Sequence, residues 1–192
     1  VPNCESSIEL GDISMLIHQH VNMYTRKSLT KVVEKAGLYV YDMSLSNYGS
    51  AIYCAITKNP LLKKYSSDDF NNYHLAWDQF EEKALNRIAK FQDFFCKIND
   101  EDNGYFIFQR IIPYLCAGGF ELNGRYFDNN TLWFRKYLDG IPKTIENEND
   151  FLNNPTQNLF IFSHSFGDEL VKKLSSINSK TNYYTQKEVF NV

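Results

Sequence analysis

The sequence lacks the patterns by which several common functions declare themselves. Its four cysteines, at positions 4, 54, 96 and 116, form no Cys-x-x-Cys pair, so neither a zinc knuckle nor a dithiol redox motif is spelled out. They read as buried free thiols of a reducing compartment. No apolar run approaches the roughly 18 residues of a membrane span, and no basic segment precedes a short apolar core in the manner of a signal peptide. A cytoplasmic location is therefore expected, with no membrane partner. The net charge of −3 makes no electrostatic case for nucleic acid or an anionic membrane as a partner. Small anionic ligands stay open, because a few local cations suffice for them. There is no internal repeat, no low-complexity tract beyond a general richness in Asn and Lys, and no Gly-x-Gly-x-Gly loop after a strand.

What is present is material for a core. Hydrophobic residues make up 43% of 192 positions and aromatics 16%, enough for one large domain or two small ones. The first residue is Val, and Val1-Pro2-Asn3 reads like the end of a strand entering a loop, which suggests a piece of something longer. Residues 1–24 otherwise look loop-like, with Gly11-Asp12 as a turn.

Two of the four histidines, His18 and His20, stand two apart just before a helix start. Histidine is the side chain suited to proton transfer near neutral pH, so this is where the acid–base capacity concentrates. The same pair also reads as two structural histidines. A metal reading lacks a third ligand placed by the sequence, and no metal site is expected.

Thr25 is a good N-cap for a helix whose Leu29, Val32, Val33 and Ala36 share a face and whose stop is Gly37. Strands over 38–45 and 51–57, joined by Ser46-Asn47-Tyr48-Gly49-Ser50, form an antiparallel hairpin. The second strand is almost wholly apolar, so the hairpin is expected inside or beside a larger sheet. From Ser67 the residues Phe70, Tyr73, Trp77, Phe80, Ala84, Ile88, Phe91, Phe95 and Ile98 are spaced three or four apart. That spacing predicts a helix of about 30 residues and about 45 Å, a connector over 61–103 whose aromatic stripe packs on a core or a partner helix. Homo-oligomerisation through this long helix follows as an expectation. His74 beside the stripe reads as a packing or surface residue.

Asn99-Asp-Glu-Asp-Asn-Gly104 is a polar break. Beyond it, strands over 105–108, 125–127, 159–162 and 183–184 alternate with helices over the Pro113 region and 169–174. Alternation of this kind is that of a parallel α/β sheet, so 104–192 reads as a small Rossmann-like subdomain. Ligands of such sheets lie at the carboxyl ends of strands, here Gln109-Arg110, Asp128-Asn129 and Ser163-His164-Ser165. Asp128 follows Phe108 by the offset at which an acid reaches a ribose hydroxyl, and Arg110 has the fork to meet a phosphate. Asp128-Asn129-Asn130 is equally explicable as a turn, and Arg110 as a surface charge.

The stretches Val1-Pro2-Asn3, Gly11-Asp12-Ile13-Ser14 and His18-Gln19-His20-Val-Asn-Met-Tyr24-Thr25 together resemble the segment after the fifth strand of S-adenosylmethionine-dependent methyltransferases. The nearer match is the sugar C-methyltransferase type, with its pattern His-Glu-His-x-x-Tyr-Phe-Ser/Thr. The helix, the hairpin and the Asn47-Tyr48-Gly49-Ser50 loop are similar to the last helix and terminal hairpin of that class I sheet (residues 1–60). The second subdomain is similar to the C-terminal domain attached to it. The resemblance implies His20 as general base, His18 in support, and Tyr24, Asn47 and Tyr48 with Arg110 and Asp128 around a small-molecule acceptor such as a nucleotide sugar. It implies S-adenosylmethionine as donor, held outside this chain. Gln19 stands where the family has Glu, and Phe108-Gln109-Arg110-Ile111 stands where the C-terminal subdomain would have a glycine-rich turn. The expected activity is methyl transfer to a nucleotide-linked sugar or similar polar acceptor; the alternative is a non-catalytic module that binds a nucleotide sugar or a partner chain.

Overall fold

The structure, a computed structural model, describes residues 1–16, 21–98, 101–119, 121–137, 141, 143–163 and 167–190, with Phe108 described by its backbone alone. The chain divides into two compact units, 1–84 and 85–192.

The first unit begins with an extended segment, then helix α1 (Glu5–Leu10), where only loop was expected. Local chemistry accounts for it. The Asn3 side-chain oxygen accepts the Glu5 N–H at 3.2 Å, and Gly11 closes the turn at a φ of 68°. A Cβ at Gly11 would come within 2.5 Å of Lys83, so glycine alone fits there. A 3-10 turn follows at Ile13–Met15, capped by Asp12. Helix α2 (Arg26–Lys35) starts at Thr25, as predicted, with a reciprocal Thr25–Ser28 cap; of the four apolar residues expected on its packed face it buries Leu29 and Val33, while Val32 and Ala36 are exposed. Strands β1 (Tyr39–Leu45) and β2 (Ile52–Thr57) pair antiparallel. Among the described residues this sheet has two strands, flanked only by single bridges, Pro2 to Ala51 and Val40 to Tyr65. The larger sheet expected around the apolar β2 is thus not formed by these residues, and Tyr53 and Ile56 remain 62% and 52% exposed.

The single long helix of the sequence reading is instead a 3-10 turn (Ser67–Asp69), helix α3 (His74–Asp78) and helix α4 (Phe80–Ile98). The last is 19 residues, roughly 28 Å. Packing overrides periodicity in the missing part. Phe70 stacks on Tyr65 at 5.8 Å and lies under the Arg26 guanidinium at 5.6 Å, while Tyr73 packs on the cluster of Cys4, Ile8 and Met15. Two members of the stripe are therefore drawn into the first unit's own core by irregular backbone.

The second unit is a mixed α/β fold. Strand β3 (Asn103–Phe106) leads through a 3-10 turn (Phe108–Ile111) into helix α5 (Ile112–Gly118). Then come β4 (Arg125–Phe127), β5 (Ile145–Glu146), α6 (Glu148–Asn153), β6 (Asn158–Ile161), α7 (Gly167–Ile177), β7 (Asn182–Thr185) and α8 (Gln186–Phe190). The five strands are all parallel, in the order β5-β4-β3-β6-β7. Strand β3 ends two residues before the predicted Phe108, because Ile107 turns to a φ of 58°. The strand β5 and helix α6 occupy a stretch that the sequence reading left without a strand.

Alternation along the strands builds two cores. Tyr105 and Phe160 point to one face, where they meet Phe95 of α4 at 5.9 and 5.0 Å; Phe91, Tyr114 and Phe190 extend that aromatic layer. Phe106, Phe127, Leu159 and Ile161 point to the other face, against Phe151 of α6 and Leu174 of α7. The aromatic stripe of α4 is core, with Phe91 and Phe95 wholly buried. At the amino edge Asn103, Asn158 and Asn182 are in register on three adjacent strands. Asn182 donates to Asn158 at 3.0 Å, and Asn158 donates to Asn103 at 3.0 Å. Among the described residues no helix is long and apolar enough to cross a membrane.

Candidate functional site

In the second unit the chain runs from β3 outward through β4 to β5, then returns to the other side of β3 as β6. Two neighbouring strands whose connections depart in opposite directions leave a crevice at their carboxyl ends, the usual ligand position in open α/β sheets. A cleft of about 630 Å³ lies there, lined by Phe106, Ile107, Asp128, Asn129, Glu169, Leu170 and Lys173. This volume is within the range of small-molecule sites, roughly 300–1,000 Å³. Its floor is apolar and its rim polar.

The rim is fixed by hydrogen bonds. Asp128 follows β4 directly; its Oδ1 accepts the Asn130 N–H at 2.7 Å and its Oδ2 accepts Gln109 Nε2 at 2.8 Å. The turn reading of Asp128-Asn129-Asn130 is therefore real, and the same turn aims the carboxylate along the cleft wall. Asn129 donates to Glu148 at 2.8 Å, and Lys173 of α7 forms an ion pair with the same carboxylate. Burial pushes the Glu148 carboxyl up, but the hydrogen bonds from Lys173 and Asn129 outweigh it and leave it below the ordinary carboxylate range. The cleft lining thus has two carboxylates, Asp128 and Glu169, against one ammonium already engaged by Glu148. Such a lining accepts hydrogen bonds from hydroxyls better than it attracts phosphate.

Ile107 gives the cleft its second unusual feature. A β-branched residue at a φ of 58° is rare, because its Cβ crowds the following carbonyl at a cost of roughly 1–2 kcal/mol. It is held there by Ile107 N–H donating to the Phe127 carbonyl at 3.2 Å. Backbone strain of this kind concentrates at binding sites.

The residues singled out from sequence fall in different places. Asp128 lines the cleft. Arg110 is half-buried in the 3-10 turn Phe108–Ile111 and is not among the residues lining it. In the first unit, Tyr24 pairs by its backbone with Pro2 and Cys4, while Asn3 reaches the hairpin turn, donating from its side chain to the Gly49 carbonyl at 2.8 Å. Tyr24 and the turn carrying Asn47 and Tyr48 thus flank the same three residues, Val1–Asn3. Asn47 and Tyr48 are exposed. His18, Gln19, His20, His164 and Ser165 lie outside the described residues. Their neighbours Leu16 and Val21 line an apolar cleft of about 430 Å³ with Cys4, Ile8, Met15, Met23 and Trp77.

Sequence reasoning missed Ile107, Glu169, Leu170 and Lys173 as site residues. Only Glu169 carried a signal, as an acid in the first turn of a helix that follows a strand.

At the turn after β3 the residues do not fit S-adenosylmethionine. The turn after β3, where backbone would approach a nucleotide, holds Ile107, Gln109 and Arg110 in place of glycines, and Pro113 withholds an N–H from the first turn of α5. No protein-family model matches the chain, and no curated protein matches it.

Proposed function

We propose that the chain is the acceptor-side, C-terminal portion of an S-adenosylmethionine-dependent methyltransferase acting on a nucleotide-linked sugar or a similar small polar acceptor. The observation that carries the acceptor assignment is the position of Asp128. It stands at the carboxyl end of the strand next to β3, in the cleft at the switch point, where an acid accepts from ribose or sugar hydroxyls. The hydroxyl-accepting character of the rest of the rim supports the same class of ligand.

The methyl-transfer part of the reading rests on the first unit. Its order of strand end, helix and hairpin agrees with the resemblance, and Val1–Asn3 hydrogen-bonds alongside the start of β2: Ile52 N–H donates to the Val1 carbonyl at 2.8 Å and Asn3 N–H to the Ser50 carbonyl at 3.0 Å. In this reading His20 removes the acceptor's proton and His18 supports it, while the donor is held by residues outside this chain. The test is a His20→Ala change in a polypeptide that also carries a donor-binding half. Turnover should fall at least a hundredfold, the usual range for a general base, with donor affinity unchanged; unaltered turnover would remove His20 from the chemistry.

A second reading uses the same cleft without catalysis, as a module that binds a nucleotide sugar. The hydroxyl-accepting lining of the cleft supports it equally, because that lining requires no donor. Saturable binding with no methyl transfer, even when a donor-binding half is supplied, is the result that distinguishes it.

A further inference from the structure

A second cleft, in the first unit, has the opposite electrostatic character. About 280 Å³ in volume, it is lined by Lys27, Lys31, Ser28 and Thr25 on one side and Asn72, Tyr73, His74 and Trp77 on the other, over Ile8. Among the described residues no Asp or Glu lines it, in a chain whose net charge is −3. Lys27 and Lys31 are four residues apart on α2 and therefore share a face. The stem of Lys27 is largely buried, its side chain 20% exposed, and its ammonium is 3.5 Å from the Phe70 carbonyl and 4.0 Å from the carboxylate of Asp68, itself 94% exposed. The nearest acid to His74 is Asp78 at 3.2 Å, which engages Nδ1. Neither contact neutralises the pair of lysines in a desolvated way.

Trp77 forms the aromatic wall. One face of its indole lies on Phe80, with ring centroids 5.1 Å apart and planes at 13°. Yet 54% of the residue remains exposed. A tryptophan stacked on a neighbouring ring and still half-exposed offers aromatic surface on which a planar ring can stack. Two ammonium groups beside it supply the counter-charge for phosphate.

We infer that this cleft binds a phosphate ester of a planar heterocycle, that is, a nucleotide, with its ring over Trp77 and its phosphates against Lys27 and Lys31. The inference does not rest on methyl transfer or on the cleft of the second unit, because the residues involved are different.

The test is titration of the full chain with uridine 5′-diphosphate, followed by NMR at the indole N–H of Trp77, which a Trp133→Phe change distinguishes from the other tryptophan. The expected result is a saturable shift of the Trp77 signal, competed by inorganic pyrophosphate and at least tenfold weaker with uridine. In the Lys27→Gln, Lys31→Gln double variant, checked for an unchanged circular dichroism spectrum, the Kd rises at least tenfold; should the double variant fail to fold, either single change is expected to raise it about threefold. An unmoved Trp77 signal, uridine binding as tightly as its diphosphate, or an unchanged Kd in the lysine variants would each overturn the inference. Loss of methyl transfer with this titration intact would count against the enzymatic reading alone.

Discussion

Ile107 is where a single residue departs furthest from what its chemistry prefers. Its left-handed backbone reverses an ordinary ranking. Glycine is normally less stable than alanine in folded structure, but at this position alanine keeps the strain and loses the same packing. Ile107→Gly should therefore unfold at higher denaturant than Ile107→Ala, by about 1 kcal/mol, as read from urea midpoints at constant slope. The reverse order would show that the turn relaxes when the side chain is removed. Two tyrosines give a second residue-scale expectation. Tyr126, 1% exposed, donates to the Leu122 carbonyl at 2.9 Å, and burial, with the charge of Glu121 adding to it, pushes its phenol up to about 12. Burial raises Tyr105 further still, with Tyr126 adding to the effect. Folding favours the neutral phenol in both. Their contribution is complete below the ordinary phenol value of about 10 and is lost as pH rises through the folded-state values. Spectrophotometric titration should show Tyr105 and Tyr126 ionising only as the chain unfolds; Tyr126→Phe should make the alkaline loss of stability less steep.

At the scale of elements, the parallel sheet was legible because its strands are short apolar runs separated by helices, a pattern with few solutions. Strand β4 falls at the predicted positions, since Arg125-Tyr126-Phe127 is bounded by Gly124 and by Asp128-Asn129-Asn130. The long helix was misread because periodicity cannot tell which members of an aromatic stripe another part of the chain will claim. Phe70 and Tyr73 carry the right spacing and still leave the helix. Nor could the sequence show that Asn103, Asn158 and Asn182 would align across β3, β6 and β7, because register between distant strands is a tertiary property. The ladder makes its own prediction. Asn158 is 1% exposed and bonds to Asn103, Asn182 and Glu101. Asn158→Leu strands the side chain of Asn103, which is wholly buried, so it should cost about 1–3 kcal/mol in chemical denaturation. A neutral result would mean that water reaches that edge of the sheet.

For the molecule as a whole, the two units carry different parts of the functional reading. The first holds the segments on which the methyltransferase resemblance rests, and its histidine pair was visible at once as a local pattern, although its placement lies outside the described residues. The second holds the cleft, whose position follows from strand order. Order could be anticipated only as far as "carboxyl ends of strands", and of the residues named on that basis Asp128 lines the cleft while Arg110 does not. The lining from α7 had no pattern to announce it, since Leu170 and Lys173 share a helix face in the way any apolar–basic pair of an amphipathic helix does. The central claim is that this cleft takes the hydroxyl-bearing part of the acceptor through Asp128. Calorimetric titration of the chain with a nucleotide sugar, repeated with Asp128→Asn, tests it most directly. Saturable binding that weakens about tenfold in the variant, the value of roughly one charge-assisted hydrogen bond, is the predicted result. The same affinity in both proteins would contradict it.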